Sequence, residues 1–365
     1  MKAGPSGLTL VIVIVIASLL DACSPGIGAS PSPQAIPRVG LMHVGTDHNP
    51  PSLGTLVSRL SELGWFDASP DAVMRQLVGD GTTKVQGKMA QLQGEFGGPR
   101  IVLIWRNLET SQADQQAKDF VNKRVDVIVA FEDTSIRAAQ DATAQPGNQI
   151  PVVFLHPTDP VRDGLVESLS HPGGNLTGVF GARDPVAKQL ELYKEIMPGL
   201  RRLLTLVDPT DTRATPPLLE QASDAARQLG ITLVMRNASD QAGLQQAFQS
   251  LTPGDVDGAF LLSPSLRLHF SEAAIDLATA ANLPIQAHRK EWVKYGALFS
   301  LGVDVGPVGT AGARFVDAIL KGTLPADLPV EEVPRVEFAL NFKRAGELGI
   351  GVAQDVLDRV DVVYR

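Results

Sequence analysis

The sequence predicts an α/β protein of two doubly wound, Rossmann-like lobes, and three features lead there. The first is a stretch and its echo. Residues 125–135 read as a buried strand that runs into short polar residues and then an alanine-rich helix, and residues 256–265 repeat that design. Each copy leads through its helix into a Pro-led strand, at 150–154 and 283–285. The second feature is the regular alternation of apolar strand-length runs with helical spacing, as parallel β-α-β units require. The third is the loop at 171–178, the sharpest composition break in the body, which divides the alternation into two series.

In order, a buried strand at 39–44 is followed by a polar, Pro-rich loop at 45–51 and a helix at 53–63 that Gly64 ends. Residues 67–99 read as an irregular segment with a helix at 83–96. A strand at 101–106, a helix at 114–122, the opening stretch, a strand at 152–155 and a helix at 163–169 complete the first series. The second contains helices at 185–196, 217–229 and 240–249 between strands at 202–207, 232–236 and the echo. After His288 come a strand at 297–300, a helix at 306–320 and two short amphipathic helices near 341–348 and from 353.

A chain of 365 residues, 44% hydrophobic, suffices for two domains with separate cores. The net charge of −8 and the lack of any Lys/Arg run argue against a nucleic-acid surface. The six histidines show no i, i+4 zinc pair, and one cysteine excludes disulfides within the chain. Gly-x-Ser-x-Gly and His-Glu-x-x-His are absent, and the run from Gly79 to Lys84 lacks phosphate-loop spacing. The expectation is a binding protein with no cofactor or metal, not an enzyme.

The amino terminus reads as an address. Lys2 precedes an apolar run that ends at Leu20-Asp21-Ala22-Cys23, too short for a membrane span of ~20 residues and suited to a signal-peptide core. Leu-x-Ala-Cys in that place resembles a bacterial lipobox, which implies cleavage before Cys23 and lipid attachment to its sulfur; a plain secretory signal is the alternative. Residues 23–37, rich in Ser, Pro and Gly, then form a tether, and the folded body begins near Arg38.

A family resemblance rests on longer motifs. His156-Pro157-Thr158-Asp159-Pro160-Val161, followed by Pro172-Gly173-Gly174-Asn175-x-Thr177-Gly178, resembles the signature of ABC transporter substrate-binding proteins of the tryptophan/tyrosine-transport type. Residues 191–202, 319–331 and 341–349 are similar to later segments of that family, so the resemblance covers about 101 to the carboxyl terminus. It implies the type I periplasmic-binding fold, with three crossings between lobes placed near Gly178, His288 and Pro325. The lobes are then 38–178 plus 289–325, and 179–288 plus 326–365. It also implies hinge closure on a small organic ligand, an amino acid or similar, and delivery by a lipid-anchored monomer to an ABC permease. Service as a sensor for a signalling receptor is the alternative.

Candidate ligand residues follow from strand ends, where open α/β folds bind. Thr134 and Ser135 in the first stretch, and Ser263 and Ser265 in the echo, stand where a helix amino terminus offers free N–H groups to a carboxylate; plain N-capping is the other role open to them. Asp159 and Asp304 follow strands and suit a ligand ammonium, or else a capping or hinge role. Phe131, Phe180, Trp292, His43 and His288 offer flat surfaces for stacking, with core packing as the alternative for each.

Overall fold

The computed structural model describes residues 35–45, 50–79, 93–145, 147, 149–181, 185–333 and 335–365. The first lobe opens with β1 (Arg38–Val44), α1 (Pro51–Glu62) and α2 (Pro70–Val78), then β2 (Gln93–Gly97), β3 (Val102–Leu108) and α3 (Ala113–Asn122). It continues through β4 (Val127–Phe131), α4 (Glu132–Thr143), β5 (Val152–Leu155) and β6 (Leu176–Gly181). The second comprises α5 (Val186–Ile196), β7 (Arg202–Val207), α6 (Thr215–Leu229), β8 (Thr232–Asn237), α7 (Gln241–Gln249), β9 (Gly258–Leu261), α8 (Pro264–Ala280), β10 (Ile285–Ala287), α9 (Lys290–Tyr295) and β11 (Phe299–Val303). The chain returns to the first lobe for α10 (Gly306–Leu320) and β12 (Glu331–Val333). It ends on the second with β13 (Val336–Asn341), α11 (Phe342–Glu347), α12 (Gln354–Leu357) and β14 (Val362–Tyr364).

Each lobe carries one seven-stranded sheet, ordered β12-β6-β5-β4-β1-β3-β2 and β14-β13-β11-β10-β9-β7-β8. Five contiguous strands of each, β3-β1-β4-β5-β6 and β8-β7-β9-β10-β11, follow the doubly wound order 2-1-3-4-5 when numbered among themselves, and they pair with one another in parallel throughout. Among the described residues, only β2 against β3 and β13 against β11 run antiparallel. Successive residues of a strand go to opposite faces: Val127, Val129 and Phe131 join one core cluster, and Ile128 and Ala130 the other. Burial on both faces explains why these strands read as unbroken apolar runs. The two lobes of the type I periplasmic-binding architecture are therefore as expected.

The boundaries differ from expectation. β6 runs on to Gly181, and β11 pairs with β10 (Gln286↔Phe299), so the second sheet keeps residues up to Val303. The chain then crosses at 304–305, and again between β12 and β13, rather than at His288 and Pro325. Of the segment 289–325 expected in the first lobe, α10 is the element that packs there, and β12 joins the first sheet later. That helix packs closely on α1, and Thr55 Oγ1 donates to the Gly306 carbonyl at 2.7 Å. Residues 67–99 hold α2 and β2 in place of an irregular segment, while most of the helix expected at 83–96 lies outside the described residues. No helix forms at 163–169, because Gly164 takes a left-handed φ of 68° and stops the turn begun at Asp159.

Gly309 sets the α1–α10 approach: a Cβ there would lie 2.0 Å from the Ser52 carbonyl oxygen. Because the obstacle is backbone, Gly309→Ala is expected to destabilise the protein by about 1–3 kcal/mol in urea denaturation, whereas Gly54→Ala, with open space at its Cβ, gives no such loss.

Candidate functional site

Parallel strands deliver all their carboxyl ends, and the starts of the helices that follow, to one edge of each sheet. A cavity of about 310 Å³ is lined from those ends of both lobes, near the lower limit of ordinary ligand pockets. From the first lobe come Glu132, the first residue of α4, His156 just beyond β5, and Thr158, Asp159 and Arg162 of the loop after it. From the second come Arg267 and Leu268 of α8, His288 and Arg289 beyond β10, and one face of α6. Gly181 and Val303 bring the first two crossings to the same cavity, so closely that a Cβ on Gly181 would sit 2.5 Å from Val303.

Two of these residues hold a backbone conformation that side chains disfavour. Glu132 has φ 65° and His156 φ 63°, both left-handed, each directly after one of two adjacent strands. Strain of this kind persists only where surrounding structure enforces it, and it concentrates at functional sites. Part of the enforcement is visible. Asp133 accepts from the Thr158 backbone N–H at 2.9 Å and from its hydroxyl at 2.5 Å, fastening the loop after β5 to the start of α4. Burial raises the Asp133 carboxyl above its ordinary value even though both Thr158 bonds pull it down. Asp159 Oδ1 accepts from the Arg162 backbone N–H at 3.1 Å and holds the next turn.

The charges are divided between the lobes. Glu132 and Asp159 stand on the first, Arg267 and Arg289 on the second, and Arg162 turns toward Asp163 at 3.2 Å. Arg267 is only 8% exposed, so its guanidinium acts where water screens little. The two imidazoles that line the cavity, His156 and His288, are neutral at pH 7. Burial, reinforced by Arg289 and His43, pushes His156 down to about 3. Burial, then Arg289 and Arg267, holds His288 well below its ordinary value. Among the described residues no cluster of His, Cys, Asp or Glu could hold a metal, and no helix is long and apolar enough to cross a membrane.

Of the residues singled out from sequence, Asp159 and His288 line the cavity and the others do not. α4 begins directly at Glu132, so Thr134 and Ser135 fall inside its first turn instead of at its cap, and Ser135 is fully buried. Ser263 Oγ accepts from the Asp208 backbone N–H and from Thr215 Oγ1, both at 2.7 Å, and Ser265 Oγ donates to Asp208 Oδ2 at 2.7 Å. These serines knit the loop after β7 to α6 and α8. Asp304 accepts from the Gly306 N–H at 3.2 Å and approaches Arg335 at 3.5 Å, a tie between two crossings. Phe131 and His43 are core: His43 bonds Asn107 at 2.9 Å and stacks on Trp105, with Phe131 edge-on. Phe180 is buried, and Trp292 packs against the apolar cluster of the second lobe. Cys23 lies outside the described residues. The strand-end rule could have found Glu132, directly after β4, and Arg289, next to His288; Arg267 lies inside α8 and carries no such signal.

The histidines generate a pH dependence of definite sign. Below about pH 6.5 an unfolded chain takes up protons that the folded cleft refuses, so folded stability falls with pH until His156 itself protonates near about 3. Thermal melts at pH 7 and 4.5 are expected to show a smaller drop in Tm for His156→Gln than for the wild type; equal drops would exclude this contribution.

Comparison with known proteins agrees with this fold. A curated tyrosine-binding protein from Clostridioides difficile (strain R20291) is 27% identical over 256 residues, 70% of this chain and 72% of that protein. A crystal structure of a conserved domain protein from Vibrio cholerae is 26% identical with a TM-score of 0.73, covering 90% of this chain and 99% of that one. A Streptococcus pneumoniae ABC domain in complex with L-Trp has the same fold, at 22% identity and a TM-score of 0.72, with the same coverage. Residues 103–363, well over half the chain, match the family described as ABC transporter substrate binding protein, and the protein belongs to that family of extracytoplasmic binding proteins, which are not enzymes.

Proposed function

We propose that the protein captures a zwitterionic amino acid, with an aromatic side chain favoured, in the cleft between its lobes. The observation that carries this reading is the charge layout of the cavity. Arg267 and Arg289 on the second lobe suit a carboxylate, since guanidinium groups grip it through paired N–H bonds. Glu132 and Asp159 on the first lobe suit an ammonium. A ligand with both charges on one carbon bridges the lobes, and closure about the three crossings brings the two halves of its site together. The tyrosine-binding relative supports an aromatic amino acid. Stacking on Phe131, Trp292 or His43 does not, because none of these lines the cavity. In this reading the closed form is presented as a monomer to an ABC permease, and a lipid on Cys23 keeps the protein at the membrane.

In a thermal-shift screen of L-amino acids, at least one is expected to raise Tm, since a ligand at a hundredfold excess over Kd stabilises by about 2.7 kcal/mol. Calorimetry with that ligand should show Arg267→Ala and Arg289→Ala each weakening binding by roughly tenfold to a hundredfold, the worth of a hydrogen bond to a charged group. Retained affinity in both variants would contradict the site. For the anchor, cells fed an alkynyl fatty acid are expected to label the wild type and not Cys23→Ala; label in neither means an unlipidated secreted protein.

A further inference from the structure

Every charged group of the cavity comes from the first lobe, from α8 or from the segment after β10; α6 supplies none. Its contribution is a stripe. Ala214, which caps the helix with helical dihedrals, Pro217, Leu218 and Gln221 stand at i, i+3, i+4 and i+7, one face of an α-helix, and all four line the cavity. Burial changes along the stripe. Ala214 and Leu218 are 8% and 7% exposed, whereas Gln221 is exposed at the rim. The wall is thus apolar in its depth and ends in one amide. Its position is firm, because Thr215 Oγ1 donates to Ser263 Oγ at 2.7 Å and Ala222, behind the stripe, is fully buried in the core of the lobe.

From this placement, and resting on the amino-acid reading above, we infer that α6 reads the ligand's side chain, with Gln221 as the specificity-determining residue for a ring that bears a hydrogen-bonding tip. The charged head belongs against Glu132, Asp159, Arg267 and Arg289, which leaves the uncharged α6 wall for the side chain. Pro217 and Leu218 cover the face of a ring. A primary amide offers both a donor and an acceptor, so it serves the hydroxyl of tyrosine or the ring N–H of tryptophan and finds nothing on phenylalanine.

The test is calorimetric titration of the wild type and Gln221→Leu with L-tyrosine, L-phenylalanine and L-tryptophan. Gln221 is exposed, so the substitution leaves the core intact, and a thermal melt verifies this. The wild type is expected to prefer tyrosine over phenylalanine by about fivefold or more, the worth of one neutral hydrogen bond. The variant is expected to lose most of that preference while phenylalanine binding holds or tightens. An unchanged ratio in Gln221→Leu, or an equal loss for all three ligands, overturns the assignment while leaving the amino-acid reading in place. A wild type that binds no amino acid overturns both.

Discussion

A parallel sheet cannot be closed by hairpins; each strand must be reached by a crossover, and in a right-handed α/β unit this collects every strand's carboxyl end on one edge. The chain meets this constraint twice, with the same 2-1-3-4-5 order in both sheets. Everything functional depends on it. Glu132 and His156 follow two neighbouring strands of one sheet and Gly181 ends the next, while His288 follows one strand of the other sheet and Val303 ends its neighbour. Three crossings connect the two edges, and the glycine at the first accepts the valine of the second without room for a Cβ.

The edge also explains the electrostatics. Guanidinium and carboxylate groups sit in a cavity that also holds two imidazoles, and protonating either ring would add positive charge beside Arg289. Neutral imidazoles add no further positive charge beside the guanidinium groups of Arg267 and Arg289. The backbone strain at Glu132 and His156 belongs to the same arrangement, since the left-handed conformation turns the chain sharply at the strand end, and the Asp133–Thr158 bonds hold both turns together.

The fold was largely legible in the sequence because strands buried on both faces leave long apolar runs, as at Val127–Phe131, and because the first stretch and its echo mark equivalent units. The crossing after β11 was not, because a helix that packs on the other lobe through Gly309 looks locally like any other. Strand-end reasoning pointed to Asp159 and His288, which line the cavity. It misassigned Thr134 and Ser135 because the helix starts without a spacer after Phe131, a matter of one dihedral at Glu132 that no residue pattern announces. Ser263 and Ser265 have the residue types of ligand hydroxyls, yet the bonds they make are to Asp208 and Thr215. Arg267 and Gln221 reach the cavity through helical phase, which matters only once the direction of each helix is known.

The central claim is that two lobes close on one ligand held by charges from both. Small-angle X-ray scattering with and without saturating L-tyrosine addresses it directly. The account predicts a smaller radius of gyration with ligand in the wild type, and no such change in Arg267→Ala. Binding seen by calorimetry with an unchanged radius of gyration in the wild type would contradict closure as the working motion.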